Sequence, residues 1–337
     1  MVLERNSPAP SRTSVASKNT APHDPAVVAG RQGAVSVWAV AGVVWIVFVA
    51  QAWGRWITSD TLFAPAPIYG PDTFDGGALV LLRVIEAVSI LIVVATVWVF
   101  LVRPLVRTRK LSLDGMIVIG SLLASAIDPM INYFQYTFAW NAHALNMGSW
   151  LAFFPNSTGP ARYGEGLAWF IPQYLYLGIG LASIECRIIL ALRRRMPTIS
   201  NVRAFAAGYL SIFMIDVVIE QLFIRTKVYA FPRTWEALTL WAGTPYQFPI
   251  YESLFVGIYA AGFTALRISA LDAADGRSFV ERGAERWTPR LRTPVTLLAV
   301  TGFCAFWAGV AYFIPWSWMS VTPDSFVEVP SYMLPDR

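Results

Sequence analysis

Seven long apolar stretches are the feature of this sequence that most limits what it can fold into. A helix needs about 20 mostly apolar residues to cross a bilayer, and seven stretches of that kind follow residue 33. Of the 337 residues, 56% are hydrophobic and 14% are charged, whereas soluble proteins carry about 25% charged residues. The sequence therefore predicts an all-α bundle of about seven transmembrane helices in the lipid bilayer. The predicted spans are 34–54, 78–102, 111–136, 166–192, 203–226, 247–271 and 293–315.

The segments before and after these stretches predict two short flanking regions. Residues 1–33 are rich in Ser, Pro and Ala with scattered basic residues, a composition typical of a disordered tail, and they contain no signal-peptide core. Residues 34–315 form the predicted membrane domain, and 316–337 form a short extracytoplasmic tail. Four prolines lie at or near predicted helix ends, where a missing N–H does little harm. These are Pro104, Pro197, Pro232 and Pro294.

Lysine and arginine alternate between the two sides of the predicted bundle. The tail and the segments 103–110, 187–203 and 267–292 hold 19 of the 26 basic residues, and the segments between them hold six. Basic residues concentrate in cytoplasmic loops, so the pattern predicts a cytoplasmic N-terminus and a position in the plasma membrane. The net charge of +5 follows from these loops and does not indicate a nucleic-acid partner.

Acidic and polar residues interrupt five predicted spans at a similar depth, in the half nearer the outer face. A charge that faces lipid costs about 2.5–3.5 kcal/mol, so these residues predict a polar, partly hydrated cavity inside the bundle. The acids proposed as catalytic groups are Asp128, Asp216, Glu220 and Glu252. The residues expected to bind a lipophilic substrate are Asn132, Tyr133, Asn141, His143, Asn146, Gln173 and Tyr251.

The spacing of Asp216 and Glu220 indicates a pair, since residues four apart share a helix face. Two carboxylates this close in a medium of low dielectric do not both ionise easily, so one is expected to hold a proton. A protonated acid beside an ionised carboxylate suits acid–base catalysis. A structural alternative is that the pair holds Arg225 or Arg83.

Other charged residues in the spans have structural interpretations. Asp128 could act as a latch that bonds the polar loop after it. Arg83 and Glu86 are three residues apart and predict an ion pair on one helix face. Glu185 lies in the inner half of its span, where Arg187 is close enough to be its partner.

Motifs for cofactors and metals are missing from the sequence. Of the two histidines, His23 lies in the predicted tail and only His143 follows it, which is too few for a bis-histidine haem or a di-iron site. The three lysines lie outside the predicted spans, which excludes a retinal Schiff base. There is no glycine-rich phosphate motif, and Cys186 and Cys304 do not form a CxxC pair. The sequence therefore predicts chemistry without a cofactor or a metal.

The polar stretch 128–150 and the residues just after it resemble a known family. The residues that carry the resemblance are Asp128-Pro129, Asn132-Tyr133, Trp140-Asn141-Ala142-His143, Asn146, Gly148-Ser149-Trp150 and Pro155. The stretch is similar to actinobacterial membrane proteins of the AveC-type spirocyclase family, and we expect the similarity to cover 34–315. The resemblance implies an enzyme of secondary metabolism that closes a polyketide dihydroxy-ketone into a spiroketal and can assist a dehydration.

The acids and the resemblance together favour a spiroketal-forming cyclase. The Asp216–Glu220 pair is expected to hold the acid, with Asp128 as base or cation stabiliser and Glu252 as a second candidate. The same groups suit a cyclase or isomerase of terpenoid, steroid or other lipid substrates, in which aromatic rings stabilise a carbocation. A third alternative is a non-enzymatic transporter or lipid-binding protein. A transport pathway, however, predicts polar residues through the inner half, which is nearly all apolar.

Overall fold

The computed structural model describes residues 33–157, 166 and 172–334. Within these residues, seven helices are long and apolar enough to span a membrane, which confirms the predicted number and the helical class. The protein is therefore a multi-pass helical membrane protein. Most of the predicted tail and the start of predicted span 4 lie outside the described residues. The helices are α1 (Ala34–Ile57), α2 (Gly76–Thr108), α3 (Leu113–Asn132), α4 (Pro172–Arg195), α5 (Asn201–Arg225), α6 (Ile250–Asp272) and α7 (Pro289–Met319).

Helix α3 ends four residues earlier than its apolar pattern predicts. It is α-helical over Leu113–Ala124 and continues as a 3₁₀ helix over Ser125–Asn132. Pro129 has no N–H to donate, and its ring clashes with the carbonyl of the preceding turn. The tighter 3₁₀ turn therefore replaces the α-helix around Pro129, and it leaves Asp128 buried inside the bundle.

Two prolines that we expected near helix ends lie inside helices. Pro104 follows a π-helical turn, Trp98–Val102, within α2, and Pro294 lies within the Pro289–Ala308 part of α7. A π turn inserts one residue into the α-helical ladder, which accommodates the missing N–H of Pro104. The two helices pass through these prolines and reach 33 and 31 residues, longer than the apolar pattern indicates.

Helix α1 packs closely along α7 at two glycines. A Cβ atom on Gly42 would lie 2.0 Å from the Leu298 carbonyl oxygen, and one on Gly302 would lie 2.2 Å from the Trp38 carbonyl oxygen. Small residues let helix backbones approach each other in a membrane. Helices α3 and α7 form the buried centre of the bundle, whereas most residues of α1, α2 and α5 are at least partly exposed on its outer surface.

Loops at one end of the bundle fold together into a cap, which we define as residues 58–75, 133–157, 226–249 and 320–334. Three short antiparallel strand pairs form in this cap: two connect different segments, and the third lies within 226–249. The pairs are β1 (Ala139–Trp140) with β2 (Tyr229–Ala230), β3 (Arg233–Thr234) with β6 (Ser325–Phe326), and β4 (Thr239–Leu240) with β5 (Phe248–Pro249).

The segment after α7 completes this cap. The Ala142 N–H donates to the Tyr332 carbonyl at 2.7 Å, and the Asp72 carboxylate accepts the Ser331 N–H at 2.8 Å. Tyr332 and the adjacent Met333 are buried. The opposite end carries the arginine-rich loops after α2, α4 and α6. We call the two ends of the bundle the cap end and the arginine end.

Candidate functional site

Three acidic side chains from two helices meet inside the bundle near its cap end. Asp216 and Glu220 extend from α5 and Glu252 from the first turn of α6, and one oxygen of each lies within 4.8 Å of the others. The three residues are only 5%, 5% and 2% exposed. We call them the acid triad; it contains three of the four acids that the sequence proposes as catalytic.

Helix geometry explains how the triad forms. Asp216 and Glu220 share a face of α5 because they are four residues apart. Glu252 is the third residue of α6, whereas Asp216 precedes the end of α5 by nine residues, or about 13 Å along the helix axis. Helix α6 therefore begins well below the end of α5, and the 226–249 segment descends into the bundle before α6 starts.

Hydroxyl groups donate to two of the triad carboxylates. The Ser253 hydroxyl donates to Oδ2 of Asp216 at 2.6 Å, and the Tyr312 hydroxyl donates to Oε1 of Glu252 at 2.9 Å. Ser253 follows Glu252 on α6, and Tyr312 lies in the π-helical turn Gly309–Phe313 of α7. Side chains from α6 and α7 therefore fix the orientation of two triad acids.

The third acid, Glu220, faces the Tyr229 phenol of strand β2. Burial raises the pKa of Tyr229 well above its ordinary value, and the charge of Glu220 adds to the rise, so the phenol keeps its proton. The Oε2 atoms of Glu220 and Glu252 are buried and accept no hydrogen bond from an N–H or hydroxyl donor among the described residues, and the carboxyl groups of Glu252 and Asp216 lie within hydrogen-bonding reach of each other. These two oxygens are therefore available to hold a proton or to bind a ligand.

No basic residue in the described part of the chain forms an ion pair with the triad. Arg83 instead bonds Glu86 at 2.5 Å, and Arg225 lies over the rings of Trp241 and Tyr246. The structural alternative for the α5 acids, that they hold one of these arginines, is therefore wrong. Buried charges without a partner are strongly destabilising, so protons or a cation must neutralise the triad.

The triad has the donor set that a hard divalent cation prefers. Each acid offers one carboxylate oxygen within the 4.8 Å cluster, and such ions bind carboxylate oxygens together with water. Two of the carboxylates already accept a hydroxyl hydrogen bond on one oxygen. Their second oxygens can hold either a proton or an ion.

Asp128 lies outside the triad but is connected to it by tyrosines. It is buried, and its Oδ1 accepts the Tyr174 hydroxyl at 2.8 Å. The Tyr174 ring stacks on Phe313 with centroids 6.2 Å apart, and the adjacent Tyr312 donates to Glu252. Tyrosines of α4 and α7 therefore lie between the two acidic positions.

The two tyrosines that face the triad belong to a larger cluster of aromatic rings. Tyr229 packs against Phe138 and Phe231, with centroids 4.8 and 5.9 Å apart. Trp316 stacks on Tyr312 at 6.2 Å and lies 5.7 Å from Phe231. The faces of such rings attract cations, and their bulk limits the access of water.

The predicted ion pair of Arg83 and Glu86 is present and confirms that interpretation. Glu86 also accepts the Leu145 N–H at 2.7 Å, and Arg83 donates to the His143 carbonyl at 2.8 Å. The pair therefore attaches α2 to the polar loop of the cap.

Two asparagines that we predicted to bind substrate hold the cap together. Asn132 is fully buried; it donates to the Phe138 carbonyl at 2.8 Å and accepts two backbone N–H groups at 2.9 and 3.0 Å. Asn141 donates to the Lys227 carbonyl at 2.8 Å and accepts the His143 N–H at 2.9 Å. These bonds leave little hydrogen-bonding capacity for a ligand.

Three further predicted binding residues contact other parts of the cap. The His143 ring stacks on Phe74 with centroids 5.1 Å apart. The Tyr133 hydroxyl donates to the Pro155 carbonyl, and the Asn146 amide bonds within its own loop. Their assignment to substrate binding stays a prediction.

The remaining predicted residues, Gln173 and Tyr251, lie at the cap ends of α4 and α6, half-buried and buried respectively. Sequence reasoning missed Tyr229, Ser253 and Tyr312 as residues that contact the triad. Ser253 and Tyr312 do carry a local signal, because each is a polar residue in an apolar span. Tyr229 carries none, since it follows the end of α5 and reaches Glu220 only through the fold of the cap.

A cavity of about 420 Å³ lies in the cap near the triad. Its lining includes Ile224 at the end of α5, Lys227, Tyr229 and the C-terminal residues Val329 and Met333. Tyr229 lines this cavity and also faces Glu220, so its side chain lies between the two.

Fold and site together define a multi-pass membrane protein with a buried acidic centre under a folded cap. The chain belongs to the family described as Spirocyclase AveC-like, which matches residues 108–331, well over half of the chain. The match contains the triad, α3 to α7 and most of the cap. It begins at residue 108 and therefore leaves out α1 and all but the last residue of α2, which the expected range of 34–315 included. Among curated proteins and among solved structures, no similar chain was found. Family membership indicates a cyclase role.

Proposed function

We propose that the protein is a cofactor-free cyclase of the plasma membrane that closes a lipophilic, polyketide-like hydroxy-ketone into a spiroketal. The observation that carries the proposal is the acid triad, three buried carboxyl groups with no basic partner among the described residues. Family membership supports the cyclase class. A bundle with outward-facing apolar surfaces suits a substrate that is dissolved in lipid.

Spiroketal closure requires an acid, a cation stabiliser and a base. One substrate hydroxyl adds to the ketone and forms a hemiketal. A carboxylic acid then protonates the hemiketal hydroxyl, which leaves as water, and an oxocarbenium ion remains. The second hydroxyl attacks this cation and gives its proton to a carboxylate. The acid is thereby regenerated, and one water is released for each spiroketal formed.

The hydrogen bonds of the triad suggest how these roles divide. Asp216 accepts the Ser253 hydroxyl and is therefore placed to remain a carboxylate that stabilises the cation. The buried Oε2 atoms of Glu220 and Glu252 have no donor among the described residues, so one of them is placed to carry the catalytic proton. Asp128 lies further away beside Tyr174, where its charge would act at longer range.

The aromatic cluster supports the same chemistry. Rings such as Tyr229, Phe231 and Trp316 present faces that favour a positive charge, and a site without bulk water protects an oxocarbenium ion from capture. The same acid would serve a dehydration, because a protonated hydroxyl leaves as water in both reactions.

This cluster also favours a second candidate function. A cyclase or isomerase of terpenoid or steroid substrates would use the same acid to protonate a double bond or an epoxide, with the rings stabilising the carbocation. Purified protein tested with a long-chain dihydroxy-ketone and with a polyene would separate the candidates. Turnover of the polyene alone would exclude the spiroketal assignment.

Turnover of the triad variants tests the proposed function. Glu220→Gln and Glu252→Gln keep the shape of the side chain but cannot exchange a proton, and Asp216→Asn removes the charge that stabilises the cation. For each variant we expect spiroketal formation to fall about 10²–10⁴-fold. Glu185→Gln is a matched control, because Glu185 is a fully buried acid near the middle of α4 and outside the triad. It should retain turnover.

A metal chelator should also leave the wild-type rate unchanged. Loss of activity on chelation would indicate that a metal ion, and not a shared proton, neutralises the triad. Full activity of all three triad variants would contradict the proposal.

A further inference from the structure

A second cavity of about 340 Å³ lies at the arginine end, remote from the triad, between α2, α4 and α6. Its polar lining is dominated by four arginines, Arg187, Arg193, Arg194 and Arg267. Its apolar lining includes Phe100 of α2, Leu190 of α4 and Leu271 of α6. The cavity thus combines a strongly basic region with an apolar wall on the side of a membrane helix bundle.

Two of these arginines are neutralised within the protein. Arg193 bonds both oxygens of Asp272 at 3.0 Å, and Arg267 bonds both oxygens of Asp114 at 2.8 and 3.1 Å. These carboxylates do not appear in the lining of the cavity. Their bonds fix the two guanidinium groups and leave the remaining positive charge of the cavity to its other two arginines.

Arg187 and Arg194 have no carboxylate partner among the described residues. The expected pairing of Arg187 with Glu185 is wrong, because Glu185 is turned inward and accepts the Thr264 hydroxyl at 2.7 Å. Arg187 and Arg194 are seven residues apart, which is about two turns, so both lie on one face of α4. Leu190 lies between them on the same face.

The depth of Arg187 makes it costly that no described carboxylate pairs with it. It precedes the end of α4 by eight residues, or about 12 Å along the helix axis. An arginine within a membrane span is stabilised by an anion or by water, and it is otherwise rare there. Arg194 lies close to the helix end, so an anion that bridges the two positions would lie at the level of a lipid headgroup.

We propose that this cavity binds one anionic phospholipid. Its phosphate would pair with the guanidinium groups of Arg187 and Arg194, and an acyl chain would lie along Phe100, Leu190 and Leu271. A guanidinium group binds phosphate through two parallel hydrogen bonds, and basic pockets between membrane helices suit anionic headgroups. The apolar wall distinguishes this ligand from free phosphate, which would use the arginines alone. The site is independent of the chemistry proposed for the triad.

Lipid retention by the full-length protein tests the proposal. The protein would be purified in detergent, exposed to equal amounts of phosphatidylglycerol and phosphatidylcholine, and examined by native mass spectrometry. We expect about one bound phosphatidylglycerol per chain and much less bound phosphatidylcholine. In the Arg187→Gln/Arg194→Gln variant the retained lipid should fall about 25-fold, since each arginine near an anionic lipid contributes roughly fivefold.

Matched controls separate this site from general attraction to a basic surface. The Arg195→Gln/Arg203→Gln variant removes the same charge at the same end, from two arginines that do not line the cavity, and it should retain the lipid. Equal retention by the Arg187/Arg194 variant would overturn the proposal, as would equal binding of phosphatidylcholine. Inorganic phosphate should not compete at the same concentration; if it does, the ligand is free phosphate and not a lipid. The wild-type competition experiments decide the matter even if the double variant fails to fold.

Discussion

The two ends of the bundle place their acidic side chains in opposite surroundings. At the arginine end, the acids of the helices are paired with arginines: Asp114 binds Arg267, and Asp272 binds Arg193. At the cap end, the three triad acids lie together without a basic partner among the described residues. Glu185, near the middle of α4, forms no ion pair with any described residue, but a single carboxyl group can take up a proton without a charged neighbour.

The difference separates two roles of acidic side chains. The ion-paired acids at the arginine end stabilise the fold, whereas the triad acids are available for catalysis. A carboxylate with a bidentate arginine partner has its desolvation offset by attraction and hydrogen bonds. Three carboxyl groups that face each other gain no such attraction, although hydroxyl groups donate to two of them. Groups that lower the stability of the folded state are expected mainly at functional sites. Variants that remove one acid from either end should therefore change stability in opposite directions.

The largest effect on stability is expected from breaking an ion pair at the arginine end. Asp114→Asn leaves the guanidinium of Arg267, only 15% exposed, without a counter-charge. We expect the free energy of unfolding to fall by about 2–3 kcal/mol, somewhat below the loss for a fully buried pair. Chemical unfolding in detergent would measure it. Asp275→Asn, which removes a more exposed pair at 3.9 Å, should change stability by less than about 0.5 kcal/mol. Equal effects of the two variants would contradict this comparison.

A smaller effect is expected from the hydroxyl groups around the triad. Tyr312→Phe removes the hydrogen bond to Glu252 and retains the aromatic ring, so kcat should fall about tenfold with little change in KM. Tyr259→Phe is the matched control, since this buried hydroxyl has no hydrogen-bonding partner among the described residues. Steady-state kinetics would compare the two. An unchanged kcat for Tyr312→Phe would show that this bond does not position the triad.

The smallest effect is a gain in stability at the cap end. Glu220→Gln replaces a buried acid with a neutral side chain of the same shape, so the free energy of unfolding should rise by about 1 kcal/mol. The same unfolding measurement as for Asp114→Asn applies, and the two variants should differ in sign. A loss of stability in Glu220→Gln would mean that the triad is a structural element and would remove the contrast between the ends.

Features that depend on local sequence were predictable. The seven spans follow from apolar length, and the shared face of Asp216 and Glu220 follows from their spacing. The contact of Glu252 with Asp216 did not follow, because it depends on how deep α6 begins. The positions of Pro104 and Pro294 inside helices also depend on packing and on local π geometry. The sequence shows that Asn132 is polar, but it does not show that Asn132 forms hydrogen bonds with backbone groups of the cap.

The central claim is that the triad is neutralised by shared protons that serve as the catalytic acid. Infrared difference spectroscopy of the carboxylic C=O stretch measures these protons directly. We predict that wild-type protein at neutral pH shows a band from a protonated carboxyl group that Glu220→Gln or Glu252→Gln removes and Glu185→Gln retains. A spectrum in which neither triad variant loses a protonated carboxyl band would contradict the account.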